Sequence, residues 1–230
     1  MPTDLILSAH RSAWSVAHNH GTSWDKNKYM VRVRDKIWKR DDYTCQACGW
    51  RSEQFQEVHH RDHNHRNFKE ANLETLCPLC HQVFHLPTAG ATNGGSIIWM
   101  PEMTQKEINL LCIGIFSTMR NPKNQWAGIA RTLYGALEAR KAWMDENLSR
   151  ADPGILGQML LSLTPEEYEN RQSWLQHLRL LPASSRFEEA AEYWYAAFFK
   201  SVPEDQWGKG LEDVNLGDLL ESMGDKLLKR

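Results

Sequence analysis

Four cysteines in two short pairs carry the clearest chemical signal in the sequence. Cys45 and Cys48 form one C-x-x-C pair, and Cys77 and Cys80 form a second. Each pair can present two thiolates to one ion, and zinc(II) prefers four such ligands in a tetrahedron. The sequence shows neither a membrane-length apolar run nor an export signal near Met1, so we expect a cytoplasmic protein. Because disulfides are rare in that reducing compartment, the pairs predict a structural zinc site.

Histidines and one asparagine surround the cysteine pairs. His59, His60, Asn72 and His81 occur in the runs V-H-H-R-D, A-N-L-E-T-L-C and C-P-L-C-H. With the four cysteines, these runs resemble the HNH nuclease motif and its four-cysteine zinc clamp. The resemblance implies that His60 is the general base for water and that Asn72 fixes the loop and the His60 ring. It assigns a divalent ion to His59 and His81, with Asp62 as a candidate further ligand.

The identity of that second ion stays open. Magnesium prefers oxygen ligands, so manganese, nickel or zinc suits a pair of imidazoles better. His63, His65 and His85 are expected to be solvated, because they fall in a polar loop or on a helix. An alternative interpretation of the whole motif is that its histidines only support a hairpin through hydrogen bonds.

Charge is unevenly distributed along the chain. The net charge is -2, with +2 in residues 1–90 and -4 in residues 91–230. Seven basic residues cluster within fifteen positions: Lys26, Lys28, Arg32, Arg34, Lys36, Lys39 and Arg40. This run either neutralises phosphates of DNA or forms a solvated helix face. The hydrophobic content of 41% is ordinary for a globular protein, and Cys112 is expected to be a small core residue.

The periodicity predicts an α+β protein with a boundary at the Gly- and Pro-rich residues 87–95. Residues 1–90 are predicted to form an HNH-like zinc domain, a treble-clef or ββα-metal unit, preceded by N-terminal strands and a basic helix. Residues 91–230 are predicted to form a mainly α-helical domain for partner binding. The predicted elements are strands within 4–18, 53–60 and 96–100, and helices over 28–40, 104–119, 125–147, from 152, 164 and 185, and from 215.

A second resemblance covers more of the chain. The runs G-G-S-I-I-W-M-P-E-M-T-Q-K-E-I-N-L-L-C at 94–112, G-I-L-G-Q-M-L at 154–160 and L-R-L-L-P-A-S-S-R-F at 178–187 resemble the IcmJ/DotN family of type IVB secretion and conjugation systems. The resemblance implies an HNH-like zinc fold that serves as an adaptor. Its partner would be the C-terminal cytoplasmic tail of the coupling ATPase, at the inner face of the inner membrane and without membrane insertion.

One departure from that family keeps a second function open. The resemblance implies that such members can lose the HNH histidines and keep the cysteines. In this sequence His60, Asn72 and His81 are all present. The alternative to the adaptor is therefore an active, metal-dependent HNH endonuclease that cleaves DNA phosphodiester bonds.

Overall fold

A computed structural model describes residues 3–10, 28–123, 126–148 and 151–201. Helices dominate the described part, and two small sheets join them. The strands are β1 (Glu57–His60), β2 (Leu73–Leu76), β3 (Gly95–Trp99) and β4 (Leu178–Pro182). The helices are α1 (Lys28–Arg40), α2 (Pro78–His81), α3 (Leu86–Ala91), α4 (Gln105–Met119), α5 (Trp126–Ala139), α6 (Lys141–Leu148), α7 (Pro153–Ser162), α8 (Pro165–Glu169), α9 (Gln172–Leu175) and α10 (Glu188–Trp194). The mixed helix and sheet composition confirms the α+β class.

Both sheets are antiparallel pairs. In the first, β1 pairs with β2 so that His59 lies opposite Glu74 and His60 lies opposite Leu73. His59 and His60 are each only 2% exposed. Successive strand residues point to opposite faces, so β1 must be covered on both sides. The first sheet therefore holds two neighbouring histidines in two separate buried environments.

Local sequence signals explain where the helices begin. Thr104 caps α4 through a capping box with Glu107, and Thr164 caps α8 in the same way with Glu167. Asp152 accepts a hydrogen bond from the backbone N–H of Gly154 at the start of α7. Such caps satisfy backbone donors that have no partner inside the helix. The predicted starts at 104, 152 and 164 are confirmed.

The hydrophobic core combines residues from both sides of position 90. One cluster packs the four paired cysteines together with Ile108 and Phe116 of α4, Leu137 of α5 and Trp194 of α10. A second cluster packs Val83 and Leu86 against Ile97, Leu156 and Leu180. The cysteine region is thus packed directly on the later helices. The division at residues 90 and 91 stays a prediction.

The expected break at residues 87–95 is wrong in its first half, where the chain forms α3. Pro87 occupies the first turn, where a helix needs no backbone donor. Residues 86–91 pack against α7, and Pro87 lies against Gly157. Tertiary packing therefore stabilises a helix that the local composition disfavours.

The N-terminal strands are not found in the described residues 3–10, and residues 11–27 lie outside the described part. The N–H of Thr3 donates to Gln46, and the N–H of Ser8 donates to Val83. The N–H of Leu86 donates in turn to Ser8. These bonds reach the first cysteine turn, the 3-10 turn Gln82–Phe84 and the start of α3 rather than one partner strand, so the segment does not join a sheet.

Two further differences concern the helical half. Residues 178–182, expected to be helical like the rest of that half, form β4, which pairs with β3. The single helix expected over 125–147 is two helices that meet at Arg140, whose guanidinium bonds Glu102. The amphipathic helix expected from residue 215 lies outside the described residues. No helix in the described ranges is long and apolar enough to cross a bilayer.

Gly90 should not tolerate a side chain. A Cβ at Gly90 would lie 2.5 Å from the Cα of Gly154, which is backbone and cannot swing aside. Replacing Gly90 with alanine should destabilise the fold by about 1–3 kcal/mol, despite the better helix propensity of alanine. Gly135→Ala is the matched control, because nothing lies within 4 Å of a Cβ there. It should stabilise by about 0.5–1 kcal/mol. Thermal unfolding of both variants checks this, and a stabilised Gly90→Ala would contradict it.

Candidate metal sites

The four paired cysteines meet at one point. Their sulfur atoms all lie within 4.8 Å of one another, and Cys48 Sγ is 3.8 Å from Cys77 Sγ. Sulfurs bound tetrahedrally to one zinc ion at about 2.3 Å lie about 3.8 Å apart, whereas a disulfide bond is about 2.0 Å long. The sulfur spacing therefore fits a four-coordinate zinc ion and excludes a Cys48–Cys77 disulfide.

Backbone hydrogen bonds fold each C-x-x-C pair into a tight turn. The N–H of Cys48 points at Cys45 Sγ at 3.5 Å, and the N–H of Gly49 donates to the Cys45 carbonyl at 2.9 Å. Gly49 has φ +80°, a conformation that costs glycine little. In the second pair, the N–H of Cys80 donates to the Cys77 carbonyl at 3.1 Å. Each turn places its two sulfurs on the same side of the backbone, where both can bind one ion.

The surroundings of the sulfurs favour a metal. All four cysteines are at most 5% exposed. Hydrogen bonds from Cys48, Cys77 and Cys80 lower the pKa of Cys45, while burial raises the pKa of Cys77. Four sulfurs gathered in a buried site need a counter-charge when they ionise, and a bound cation would supply it and displace the remaining protons.

Asn109 extends the centre into the helical half. It lies on α4, is fully buried, and donates from Nδ2 to Cys80 Sγ at 3.3 Å. Such hydrogen bonds orient metal ligands and stabilise negative sulfur. Cys112, one turn later on α4, is buried outside the sulfur cluster, and burial raises its pKa. Cys112 is therefore the small core residue that the sequence predicted.

A second cluster is made of imidazoles. His59, His81 and His85 each bring one ring nitrogen to within 4.8 Å of the other two. His81 Nε2 and His85 Nε2 are 3.1 Å apart. Glu57 accepts a hydrogen bond from His81 Nδ1, which leaves Nε2 turned toward the other two rings. A carboxylate behind an imidazole in this way is the usual support of a histidine metal ligand.

The buried imidazoles are held neutral. Burial lowers the pKa of His59 and of His85, and the nearby His81 adds to the effect. His59 stacks on Phe84 with ring centroids 4.5 Å apart. Its Nδ1 is buried without a hydrogen-bond partner in the described part of the chain. Neutral imidazoles with available lone pairs are the form that binds metal ions.

The prediction that His85 is solvated is wrong. His85 is only partly exposed and completes the imidazole cluster with His59 and His81. The sequence did contain a signal for this position, because His81 and His85 are four residues apart. Residues at that spacing share one side of a helix, and here α2 continues into a 3-10 turn over Gln82–Phe84.

His60 and Asn72, to which the HNH resemblance gave roles, do not lie at the imidazole cluster. His60 stacks on His65 with centroids 4.9 Å apart, and Phe68 meets its edge. Asn72 Nδ2 donates to Asp62 Oδ1 at 2.8 Å, and Asn72 Oδ1 accepts from the Asp62 N–H at 3.1 Å. Asn72 therefore ties the loop together, and Asp62 is engaged within that loop rather than at the imidazoles.

Comparison with known proteins gives the chain its family. No protein-family model matches it. Over 173 residues it is 31% identical to the type 4 apparatus protein DotN of Legionella pneumophila, covering 74% of this chain and 80% of that protein. The chain belongs to the IcmJ/DotN family. The resemblance drawn from residues 94–187 is thereby confirmed.

In this IcmJ/DotN-family chain, a cavity opens beside the imidazole cluster. It has a volume of 450 Å³ and is lined by His65, His81 and His85 together with Arg34 and Arg186. His60 is not among its lining residues. The cavity therefore brings three imidazoles and two guanidinium groups to one surface, while His60, the base that the HNH resemblance assigns, is buried and does not line it.

A third histidine group ties the N-terminal segment of this family member to its helical half. His10 stacks on His63 with centroids 3.6 Å apart, and its Nε2 lies 3.2 Å from the Tyr168 hydroxyl. Arg171 donates to Ser8 Oγ at 3.0 Å and lies over the Tyr168 ring. His63 is thus packed rather than freely solvated.

This group makes the fold acid-sensitive. Burial and the nearby His63 and Arg171 lower the pKa of His10 to about 3, and burial lowers the pKa of His63 to about 4. An unfolded histidine titrates at about 6.5, so the unfolded chain binds more protons below that pH. The stabilisation is complete above pH 6.5 and is lost as the pH falls toward 4.

We expect the melting temperature of His10→Gln to fall less between pH 7 and pH 4.5 than that of the wild type. Glutamine does not titrate there, so it removes the extra proton uptake of the unfolded state. Each kcal/mol of linked stability corresponds to about 2–4 °C in a chain of this size. Melting curves across that range check this. Parallel declines in the two proteins would contradict it.

Proposed function

We propose that this chain is a zinc-stabilised adaptor subunit of a type IV secretion or conjugation apparatus. The observation that carries the proposal is the position of the cysteine centre in one core with α4, α5 and α10. A tetrahedral four-sulfur site leaves no ligand position open for a substrate. Zinc at that site would supply folding energy and fix the cysteine turns against the helices.

The proposal includes an HNH-like origin for residues 1–90. In support, β1 and β2 form a hairpin, and α2 follows directly with Cys80 and His81 on it. Two strands and a helix beside a cysteine clamp are the parts of a ββα-metal unit. Residues 91–230 would be the helical unit that binds the partner. Asn109 and the shared core connect the helices to the cysteine centre.

The partner we propose is the C-terminal tail of the coupling ATPase, which would hold the chain at the inner face of the inner membrane. The support is membership of the family whose relative is a type 4 apparatus protein. Large apolar side chains are also exposed on the helical half, with Trp174 46% and Met159 53% exposed. Such residues are enriched where proteins bind one another.

Coexpression tests this partner. The full chain and the tail of the coupling ATPase from the same organism should elute together from a sizing column as a stoichiometric complex. Zinc content of one ion per chain should accompany the complex. Separate elution of the two proteins, at micromolar concentration and low salt, would refute the adaptor proposal.

The imidazole cluster supports one second candidate, a metal-dependent nuclease. His59, His81 and His85 would hold a manganese, nickel or zinc ion more readily than magnesium. When bound, such an ion supplies Lewis acidity toward a phosphodiester. His60 would be the base and Asn72 the residue that fixes the loop. We rank this function second, because His60 is 2% exposed and does not line the cavity beside the cluster.

A further inference from the structure

Two neighbouring cavities form one groove across the described surface. The first is the 450 Å³ cavity beside the imidazole cluster, and the second has a volume of 550 Å³. They share Gln56, Glu57, Pro78, Arg186 and Phe187 as lining residues. The groove therefore runs from the imidazoles, past Arg186, to the start of α10.

The two ends of this groove differ in charge. The first cavity is lined by Arg186 and by Arg34, which also pairs with Asp35, and its carboxylate, Glu57, is bonded to His81. The second cavity shares Arg186 and Glu57 with the first and adds Glu188 and Glu189, both exposed, so acidic groups outnumber basic ones there. A ligand that complements both ends must itself carry opposite charges at its two ends.

Phe55 supplies an apolar contact beside the acidic end. Its ring lines the second cavity, is 36% exposed and leans on Tyr193 with centroids 5.8 Å apart. Its backbone has φ +63°, which is rare for a bulky residue and costs on the order of 1–3 kcal/mol. The strained backbone and the partly exposed ring make Phe55 a candidate for contact with a ligand.

We propose that this groove binds an extended peptide segment of the partner chain, with an acidic side chain in the first cavity, facing Arg186, an apolar side chain against Phe55 and a basic side chain at Glu188 and Glu189. The inference rests on the adaptor function proposed above and names the surface and the chemistry of that partner. Extended peptides bound in surface grooves are read through alternate side chains, which suits this succession of charged and apolar positions.

The same charges disfavour a nucleic acid strand. A polynucleotide carries one negative charge at every phosphate, so it needs positive charge along its whole path. Glu188 and Glu189 would repel its backbone over the second half of the groove. A peptide can change sign along its length and a polynucleotide cannot.

The test uses the full zinc-loaded chain and an array of roughly 15-residue peptides that tile the cytoplasmic segments of the apparatus. Peptides that bind should carry Asp or Glu at one end and Lys or Arg at the other. Arg186→Glu should weaken the best peptide about tenfold in solution, as the loss of one charge-assisted contact requires. Lysine in place of the peptide's acidic residue should restore binding to that variant. Arg131→Glu, an exposed change on α5, is the matched control and should bind like the wild type.

The same variants are then titrated against the complete tail of the coupling ATPase and against a labelled DNA oligonucleotide. If the tail binds the wild type and Arg186→Glu equally, the groove is not its binding site, and the adaptor function is unaffected. If the wild type binds the DNA and Arg186→Glu does not, the groove binds a nucleic acid and the peptide proposal is wrong. A photoreactive amino acid in place of Phe55 should cross-link to the tail. Cross-links confined to the same chain, or to a second copy of it, would also overturn the proposal.

Discussion

Replacing Cys77 with serine should leave the protein without zinc and without a cooperative fold. Zinc in four-cysteine sites contributes roughly 10–16 kcal/mol, as much as the whole stability of a typical domain. The loss should spread well beyond the cysteine turns, because the sulfurs pack in one cluster with Phe116, Leu137 and Trp194. We therefore expect Cys77→Ser to melt without a sharp transition through both halves of the chain.

The matched control is Cys112→Ser, which changes the fifth cysteine in the same core. Cys112 is fully buried but takes no part in the sulfur cluster. Its replacement should cost about 1–3 kcal/mol through an added buried hydroxyl and leave the zinc in place. Elemental analysis and calorimetry check both variants. A zinc-free wild type, or a Cys77→Ser protein that melts like Cys112→Ser, would disprove the zinc-dependent fold.

Short-range signals in the sequence predicted the cysteine site and the best-capped helices. Cys45 and Cys48 are close enough to share an ion in any fold, and Thr104 with Glu107 makes a cap whatever lies around it. Such features depend on a few consecutive residues. The helix caps were correctly predicted because distant parts of the chain do not alter them, and the expected meeting of the two cysteine pairs is confirmed, while the bound zinc stays a prediction.

Features that depend on distant partners were not predicted. The strand β4 exists because β3 pairs with it, and the partners Ser96 and Leu181 are 85 residues apart in the chain. The helix α3 exists because Gly90 and Pro87 allow α7 to approach closely. Neither partner is visible in the local pattern, so a break was expected over residues 87–95 and residues 178–182 were expected to be helical.

The HNH resemblance placed some of these residues together correctly and others not, while their chemical roles stay predictions. His59 and His81 lie together as expected, and Asn72 holds its loop. The motif could not show that β1 would be buried on both faces, which places His60 away from the cavity. The cluster gains His85 instead, and the two function classes can be separated by testing it.

His81→Gln and His85→Gln should each abolish binding of a second metal ion while leaving the zinc and the melting temperature nearly unchanged. Three imidazole ligands become two, so the affinity for nickel or manganese should fall on the order of a hundredfold or more. His177→Gln is the matched control, because His177 is exposed and lies outside the cluster. Titration calorimetry on the zinc-loaded proteins measures this. A wild type that binds one metal ion only would remove the second site.

Plasmid nicking decides what the second site does. The adaptor proposal expects no cleavage of supercoiled DNA by the wild type with manganese, nickel or magnesium. If cleavage occurs, the nuclease requires that His81→Gln and His60→Gln both abolish it at unchanged zinc content, because a metal ligand and a general base act in the transition state and not in folding. Cleavage that persists in both variants would belong to a contaminant. If His81→Gln loses the cleavage activity and His60→Gln keeps it in full, the reaction depends on the metal ion but uses another group as its base. His65 lines the same cavity as His81 and His85, so it is the next residue to replace.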